Sequence, residues 1–219
     1  MVVSVIIDRA MVQLWDGGPY WATTNIGAEE PEEYGYYFWW GDTVGYKREN
    51  DKWVASDGSN LNFSFGTKNT LTYGKGVSTL KSEGWITSGG VLTPEHDAAH
   101  VHWGGNWRMP TKQEFDNLNN KCDWIMTAMN GINGYVVRGY GKYASNSIFL
   151  PGAGCGYETS LENVGSPFLM YGYYWSSVQI SDAYGDNAHY LNFQNSSHGV
   201  GRNHRHYGHT IRPVQGVTK

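Results

Sequence analysis

The stretch Tyr34-Gly-Tyr-Tyr-Phe-Trp-Trp-Gly41 constrains this chain more than any other, because six of its eight residues are aromatic. Side chains of this kind bury on the order of 150–250 Å² each. So much aromatic area cannot stay wet, and the segment must be largely interior. Composition extends the same reading to the whole chain. Ten Trp, 16 Tyr and 29 Gly accompany only 16% charged residues, which points to a compact, loop-rich fold of short strands and not to a helical bundle. A chain of 219 residues buries roughly 70% of the surface its unfolded form exposes, so it needs neither metal nor disulfide to hold a core. We expect one domain over residues 1–219.

The net charge is −4 with both signs scattered. No basic stripe marks a nucleic-acid partner. No apolar run reaches membrane-spanning length, so no membrane insertion is expected. Met1-Val-Val-Ser-Val-Ile-Ile7 is short and lacks the basic lead-in of a signal peptide; Val2 to Ile7 reads as a first strand. Cys122 and Cys155 lie far apart. They could pair, but they read more readily as two small buried apolar residues.

Val12 to Trp15 and Tyr20 to Ala22 look like the arms of a hairpin around Asp16-Gly-Gly-Pro19. Glu29 to Glu33 suggests one turn of helix. Residues 42 to 92 are polar and Gly-rich with little periodicity, and read as surface excursions and short strands of an insertion-like stretch. Thr93-Pro-Glu95 opens a short helix towards His102, with Thr93 as cap and Pro94 in the first position. Thr111-Lys-Gln-Glu114 is a capping box, with Phe115 and Leu118 at helical spacing, and this helix ends near Cys122. From Tyr135 onwards the pattern is strand and turn. Ile148–Leu150 is a buried strand, and Tyr173 to Ser177, His189 to Phe193 and His209 to Val214 are further ones. The fold class is α+β: two short helices beside a twisted sheet of short, mostly antiparallel strands.

Several segments in this order carry a family resemblance. They are Trp21-Ala-Thr-Thr-Asn-Ile-Gly-Ala28, Pro31-Glu-Glu-Tyr-Gly35, Trp40-Gly-Asp42, Asp97-Ala-Ala99, Trp103-Gly-Gly-Asn-Trp-Arg-Met-Pro-Thr111, Ile148-Phe-Leu-Pro151, Tyr174-Trp-Ser-Ser177 and Ile211-Arg-Pro-Val214. Spaced over residues 12 to 214, they resemble the Fibrobacter-type major paralogous domain, a branch of the C-type-lectin-like and formylglycine-generating-enzyme superfamily. The resemblance implies a C-type-lectin-like fold with its termini close together and two helices flanking a twisted sheet. The same superfamily includes the variable proteins of diversity-generating retroelements, of the major-tropism-determinant type. In these a C-terminal segment is rewritten by adenine-directed mutagenesis, which turns Asn codons into Asn, Ser, Tyr, His, Asp or Gly among others, but never into Lys, Glu, Met or Trp.

The window from Val178 to His209 bears that mark. Of its 32 residues 21 are Asn, Ser, Asp, Tyr, His or Gly, and five of the chain's eight His fall within it. Lys, Glu, Trp and Met are absent from it, where composition alone would place about six. In His189-Tyr-Leu-Asn-Phe193 the period of two sets Leu191 and Phe193 on one face and Tyr190 and Asn192 on the other. Trp175, Val200, Ile211 and Val214 read as anchors of neighbouring strands. The residues left to face solvent and bind are Ser181, Asp182, Tyr184, Asp186, His189, Tyr190, Asn195, His198, Asn203, His204, His206 and Tyr207. Tyr offers large contact area at low entropy cost, while Ser, Asn and Gly adapt their hydrogen bonding.

Other chemistries fit less well. His204 and His206 share a strand face and could ligate a metal, but no carboxylate or Cys adjoins them. His96 and His100 stand four apart on the expected helix, in a segment that looks structural. Formylglycine-generating enzymes need a close Cys pair near the C-terminus, and no Cys follows Cys155. Ser176-Ser177 lacks a sharp Gly-flanked turn. The Glu-Pro-Asn-like turn and Trp-Asn-Asp-like triplet of calcium-dependent sugar binding are missing from the later part of the chain. We therefore expect no enzyme, no metal and no cofactor. Two functions remain: a retroelement variable protein on a phage tail or bacterial surface, or an invariant surface adhesion or structural module. Either would meet a protein or glycan on a cell surface, in several copies if it is an oligomer.

Overall fold

The structure, a computed structural model, describes residues 9–59, 63–66, 70–164, 170–181 and 185–216. The strand expected over Val2 to Ile7 lies outside them. The fold is mixed α+β, with small, mostly antiparallel sheets and few helices. Strands β1 (Met11–Gln13) and β2 (Tyr20–Ala22) form the expected hairpin. Its turn is closed by the Gly18 N–H donating to the Trp15 carbonyl at 3.1 Å. Strand β13 (Val214–Gln215) pairs with the other side of β2, so the first and last described strands share one sheet. Buried Arg212 ties this sheet to the rest. Its guanidinium donates to Asn25 Oδ1 at 2.8 Å and to the carbonyls of Ala22, Thr23 and Phe149 at 3.2, 2.9 and 2.9 Å.

The aromatic run is interior as expected, with Tyr37, Phe38, Trp39 and Trp40 all buried. Its side chains alternate between two cores. Phe38 and Trp40 pack with Leu92, Met109, Trp175 and Ile211, whereas Tyr37 and Trp39 pack with Tyr46, Trp53 and Phe65. Extended chain sends successive side chains to opposite sides, so one aromatic segment serves as the wall between two clusters.

Residues 42 to 92 hold short strands, as expected, but are not confined to the surface. They supply β3 (Tyr46–Glu49) and β4 (Lys52–Ala55), a hairpin turned at Asn50-Asp51 with both φ positive. That is the turn geometry whose twist matches paired strands. They also supply α1 (Val77–Ser82) and the buried side chains of Trp53, Phe65, Leu80, Ile86 and Leu92. These apolar residues are spaced irregularly, which hides a core contribution from any test of period.

Two local expectations are corrected. Glu29 to Glu33 forms turns and no helix, because five residues are too few to repay helix nucleation; the Glu33 carboxylate instead accepts from the Glu29 N–H at 2.7 Å. Thr93 does not cap the next helix, since its hydroxyl donates to the Gly84 carbonyl at 2.8 Å. A single 3-10 turn, Pro94–His96, follows. The helix proper, α2 (Ala98–Trp103), is capped by Asp97, whose carboxylate accepts from Ala99, His100 and Met109 N–H groups. Helix α3 (Lys112–Lys121) carries the expected capping box and buries Phe115 and Leu118.

Strand β5 (Cys122–Met129) follows directly and pairs with β6 (Ile132–Gly139), which pairs with β7 (Ser147–Pro151). The sequence reading missed β5, whose middle is exposed and does not alternate. The Asn130-Gly131 turn, with both φ positive, was its available signal. Strands β8 (Cys155–Tyr157) and β9 (Ser160–Glu162) form a small hairpin. Strands β10 (Tyr171–Gln179), β11 (Asn187–Gln194) and β12 (Ser197–His204) form an antiparallel sheet in that order. One face sends Tyr174, Leu191 and Phe193 into a cluster with Trp21, Phe115 and Leu118, beneath α3. The strand expected over His209 to Val214 is reduced to isolated bridges at Gly208, His209 and Thr210 plus β13. Those three residues pair with three different neighbours, and Pro213 has no N–H to continue a ladder. Cys122 and Cys155 are both free and buried, and burial pushes each thiol up to about 12.

Candidate functional site

The second face of the β10–β11–β12 sheet carries the site. Near Trp175 and Ala188 this face is buried against Phe38 and Trp40. Further out it becomes a band of rings, most of them half-buried, with His209 fully buried and His204 exposed. Tyr171 and Tyr173 lie parallel at 6.2 Å, Tyr173 and Tyr190 at 5.8 Å, and His209 stands 5.4 and 5.2 Å from Tyr173 and Tyr190. The band continues from His209 to Tyr207 at 6.3 Å. Tyr207 then stacks on Tyr157 at 5.0 Å and on His206 at 4.9 Å, and His206 on His204 at 5.1 Å. Gly201 makes room for Tyr190: a Cβ there would stand 2.9 Å from Cε1 of that ring.

The turn bearing His204, His206 and Tyr207 is held from below. Between them Arg205 points inward, only 2% exposed, over the Trp40 ring at 5.6 Å. It pairs with Asp186 at 3.3 Å and donates to the Lys75 carbonyl at 2.9 Å. The aromatic run supplies the remaining anchors. Trp39 Nε1 donates to the His206 carbonyl at 2.9 Å, the Trp40 N–H to the Arg205 carbonyl at 3.2 Å, and Phe38 exchanges both backbone bonds with His209. Phe65 fills the space between Gly156 and Gly208, which bridge each other; a Cβ on Gly208 would come within 2.6 Å of the ring.

Hydrogen bonding fixes one tautomer. The His204 N–H donates to Asn203 Oδ1 at 2.8 Å, so the Asn203 amide nitrogen is the group facing His209 Nε2 at 3.1 Å. Nε2 therefore accepts, and the neutral ring carries its proton on Nδ1. Nδ1 is buried with no hydrogen-bond partner among the described residues. Burial, then His206, pushes the His209 imidazole well below its ordinary proton affinity, and burial, then His204, lowers that of His206. Burial raises the Tyr173, Tyr190 and Tyr207 hydroxyls. At neutral pH these rings are uncharged.

The sequence-derived candidates divide over this geometry. Tyr190, Asn203, His204, His206 and Tyr207 come together in the band. His189 and His198 do not: they fall on the α3 side, in register with Leu191 and Phe193. His198 stacks on Trp124 at 4.2 Å and bonds Asn119 Oδ1 at 2.9 Å, while His189 has a buried Nδ1 without a partner among the described residues. Asp186 is not free for display, because it holds Arg205 and accepts from the Gly74 N–H at 2.7 Å. Asn195, exposed in the β11–β12 turn, accepts from the Met170 N–H at 2.7 Å. Ser181 is exposed, and Asp182 and Tyr184 lie outside the described residues. The reading missed Tyr157, Tyr171, Tyr173, Asn192 and His209 as site residues. The alternation in Tyr171-Gly-Tyr173 carried a signal; nothing in the sequence pointed from Tyr157 to Tyr207.

The remaining histidines have other partners. His96 stacks on Trp85 at 3.8 Å, and His102 Nε2 meets the Thr43 carbonyl at 2.8 Å. No three metal-ligating side chains converge among the described residues. A cavity of about 310 Å³ lies beside α2 and α3, lined by Leu92, Asp97, His100, Trp107, Arg108 and Ser177 among others. Its charged groups are already engaged, Asp97 by backbone N–H groups and Arg108 by a two-bond pair with Glu114 at 2.8 and 2.6 Å. No described helix is long and apolar enough to cross a membrane. No family model, no curated protein and no solved structure matches the chain.

Proposed function

We propose that this chain is a non-enzymatic recognition protein: a variable protein of a diversity-generating retroelement, built on a C-type-lectin-like scaffold. Residues 178–209 meet a partner on a cell surface. The observation that carries the reading is the band of Tyr, His and Asn side chains on one sheet face, backed by rigid aromatic packing. Tyr190 and Asn203 reach that face, with His206 and Tyr207 in the turn beyond it and His204 stacked on His206, while Ala188, Leu191, Phe193 and Arg205 of the same window are buried. Supporting positions and contact positions are thus separated residue by residue, which is what a surface needs if its contacts are to change while its framework holds. Exposed replacements usually cost within about 0.5 kcal/mol.

Sequencing the flanking DNA and the same locus in many isolates tests the reading. A reverse-transcriptase gene and a near-copy template are expected, with differences at template adenines. Changes should gather at codons 190, 192, 203, 204, 206 and 207 and spare 188, 191, 193 and 205. A template identical at every adenine overturns the proposal. The second reading, an invariant surface adhesion or structural module, draws on Asn203 and Asp186, whose hydrogen bonds a varied position would not keep. It predicts isolates that retain both residues together with His204, His206 and Tyr207.

A further inference from the structure

We infer that the ring band takes a neutral glycan, bound by ring stacking and hydroxyl contacts without calcium; the inference rests on the recognition role proposed above. The first ground is the state of the tyrosine hydroxyls. Tyr37 and Tyr174, buried in the core, donate theirs to the carbonyls of Ala153 and Pro151 at 2.5 and 2.7 Å. The hydroxyls of Tyr157, Tyr171, Tyr173, Tyr190 and Tyr207 make no hydrogen bond to any described residue. Asn192 donates from its amide nitrogen to the Gly199 carbonyl at 3.2 Å, and its Oδ1 likewise makes none. Polar groups that can both donate and accept therefore stand open beside aromatic rings.

The second ground is charge. Among the described residues the band consists of Tyr, His and Asn, with no Asp, Glu, Lys or Arg among its rings. Asp186 at its His206 end is held by Arg205, and Glu162 acts on Tyr207 only from the margin. Arg202 of β12 falls on the other face, in register with His189. A surface of Tyr and Asn around a buried His209, without Asp, Glu, Lys or Arg among the described rings, suits an uncharged ligand and offers no cation to pair with an acidic sugar.

The third ground is what else is missing. Between the rings the described part of the face offers Gly199 and Gly201 and, apart from buried Ala188, no aliphatic side chain, whereas the centres of protein–protein interfaces draw on buried apolar anchors. A pyranose ring meets these conditions directly. Its C–H groups carry partial positive charge and suit the negative π-faces of Tyr, and its hydroxyls pair with phenol and amide. Successive band rings stand 4.9 to 6.3 Å apart, so neighbouring rings can serve neighbouring sugar units.

The full chain, biotinylated and clustered on streptavidin, is applied to an array of neutral and of acidic oligosaccharides in buffer containing EDTA. Neutral glycans should be retained, and binding to the best of them should fall tenfold or more in Tyr207→Ala. Tyr171→Ala, further from the buried turn, serves as a second variant and should lose several-fold with an unchanged melting temperature. The inference is overturned if only acidic glycans bind, if EDTA is found to abolish binding measured without it, or if both variants bind as the wild type does. A parallel measurement uses cells of candidate hosts. Binding that is lost in Tyr207→Ala and after protease, yet survives periodate, would place a protein on this face and overturn the glycan class while leaving the recognition role intact. No retention on the array and no binding to any cell overturns both.

Discussion

The imidazole of His209 is stacked on Trp175 at 3.9 Å and fully buried. It gains a proton less readily in the folded chain than in the unfolded one. Below the unfolded value, about 6.5, the unfolded state binds more protons, so stability falls as pH falls and levels off above it. One such group gives a slope of up to about 1.4 kcal/mol per pH unit. His96, His189, His198 and His206, each lowered first by burial, act in the same direction. Urea unfolding between about pH 5 and 7 should show declining stability on the acid side. His209→Gln should flatten that decline, and an unchanged slope would exclude His209 as its main source.

The N-terminus of α3 and the turn after β12 show how single elements are secured. Thr111 and Glu114 satisfy each other's backbone N–H groups, and Glu114 also holds Arg108. Thr111→Ala should cost about 1 kcal/mol, the usual loss of a cap. Glu114→Ala should cost more, about 2–3 kcal/mol, because it leaves a charged guanidinium without its partner. Denaturant midpoints of the two variants check the order, and equal losses would mean that the Arg108 pair adds little. In the turn, Arg205→Met removes the cation that holds Asp186 and the Lys75 carbonyl. A loss of about 3 kcal/mol is expected, the low end for a broken buried pair since Asp186 keeps some contact with water. Faster hydrogen exchange at the His206 and Tyr207 amides should accompany it; unchanged exchange would show that Phe38–Trp40 alone hold the turn.

Across the molecule, the ring band depends on segments far from it in sequence. Phe65 is fully buried between Gly156 and Gly208, and so supports the turn that presents Tyr207. Phe65→Ala should destabilise the fold by about 3–5 kcal/mol, the range for deleting a buried aromatic ring. Thermal or denaturant unfolding gives the number, and a loss under about 1 kcal/mol would mean that the site collapses around the missing ring. Gly156 and Gly208 belong to the same design, since a side chain on either would occupy the space of the ring. The segment 42 to 92 is thus joined to the ring band through packing, although it contributes no residue to it.

What could be read without coordinates was whatever depends on near neighbours in the chain. The hairpin around Gly17-Gly18, the Thr111–Glu114 box, the interior fate of Tyr34–Gly41 and the inward Leu191 and Phe193 all follow from spacing and local bonding. The division of the binding candidates did not. His189 falls with Leu191 and Phe193 by the same period of two, which the reading did not apply to it, but His198 turned to the α3 side because its register opposite Phe193 put it there, and register is set by the partner strand. Asp186 became a support because it meets Arg205 and Gly74, and Tyr157 joined the site because β8 brings it against Tyr207. The sequence by itself determined which side chains prefer water and which shun it over short spans. Only the tertiary structure decided which polar side chains share a face, because that depends on pairing and contacts between separate segments, such as Tyr157 with Tyr207 and Gly74 with Asp186, which no local pattern records.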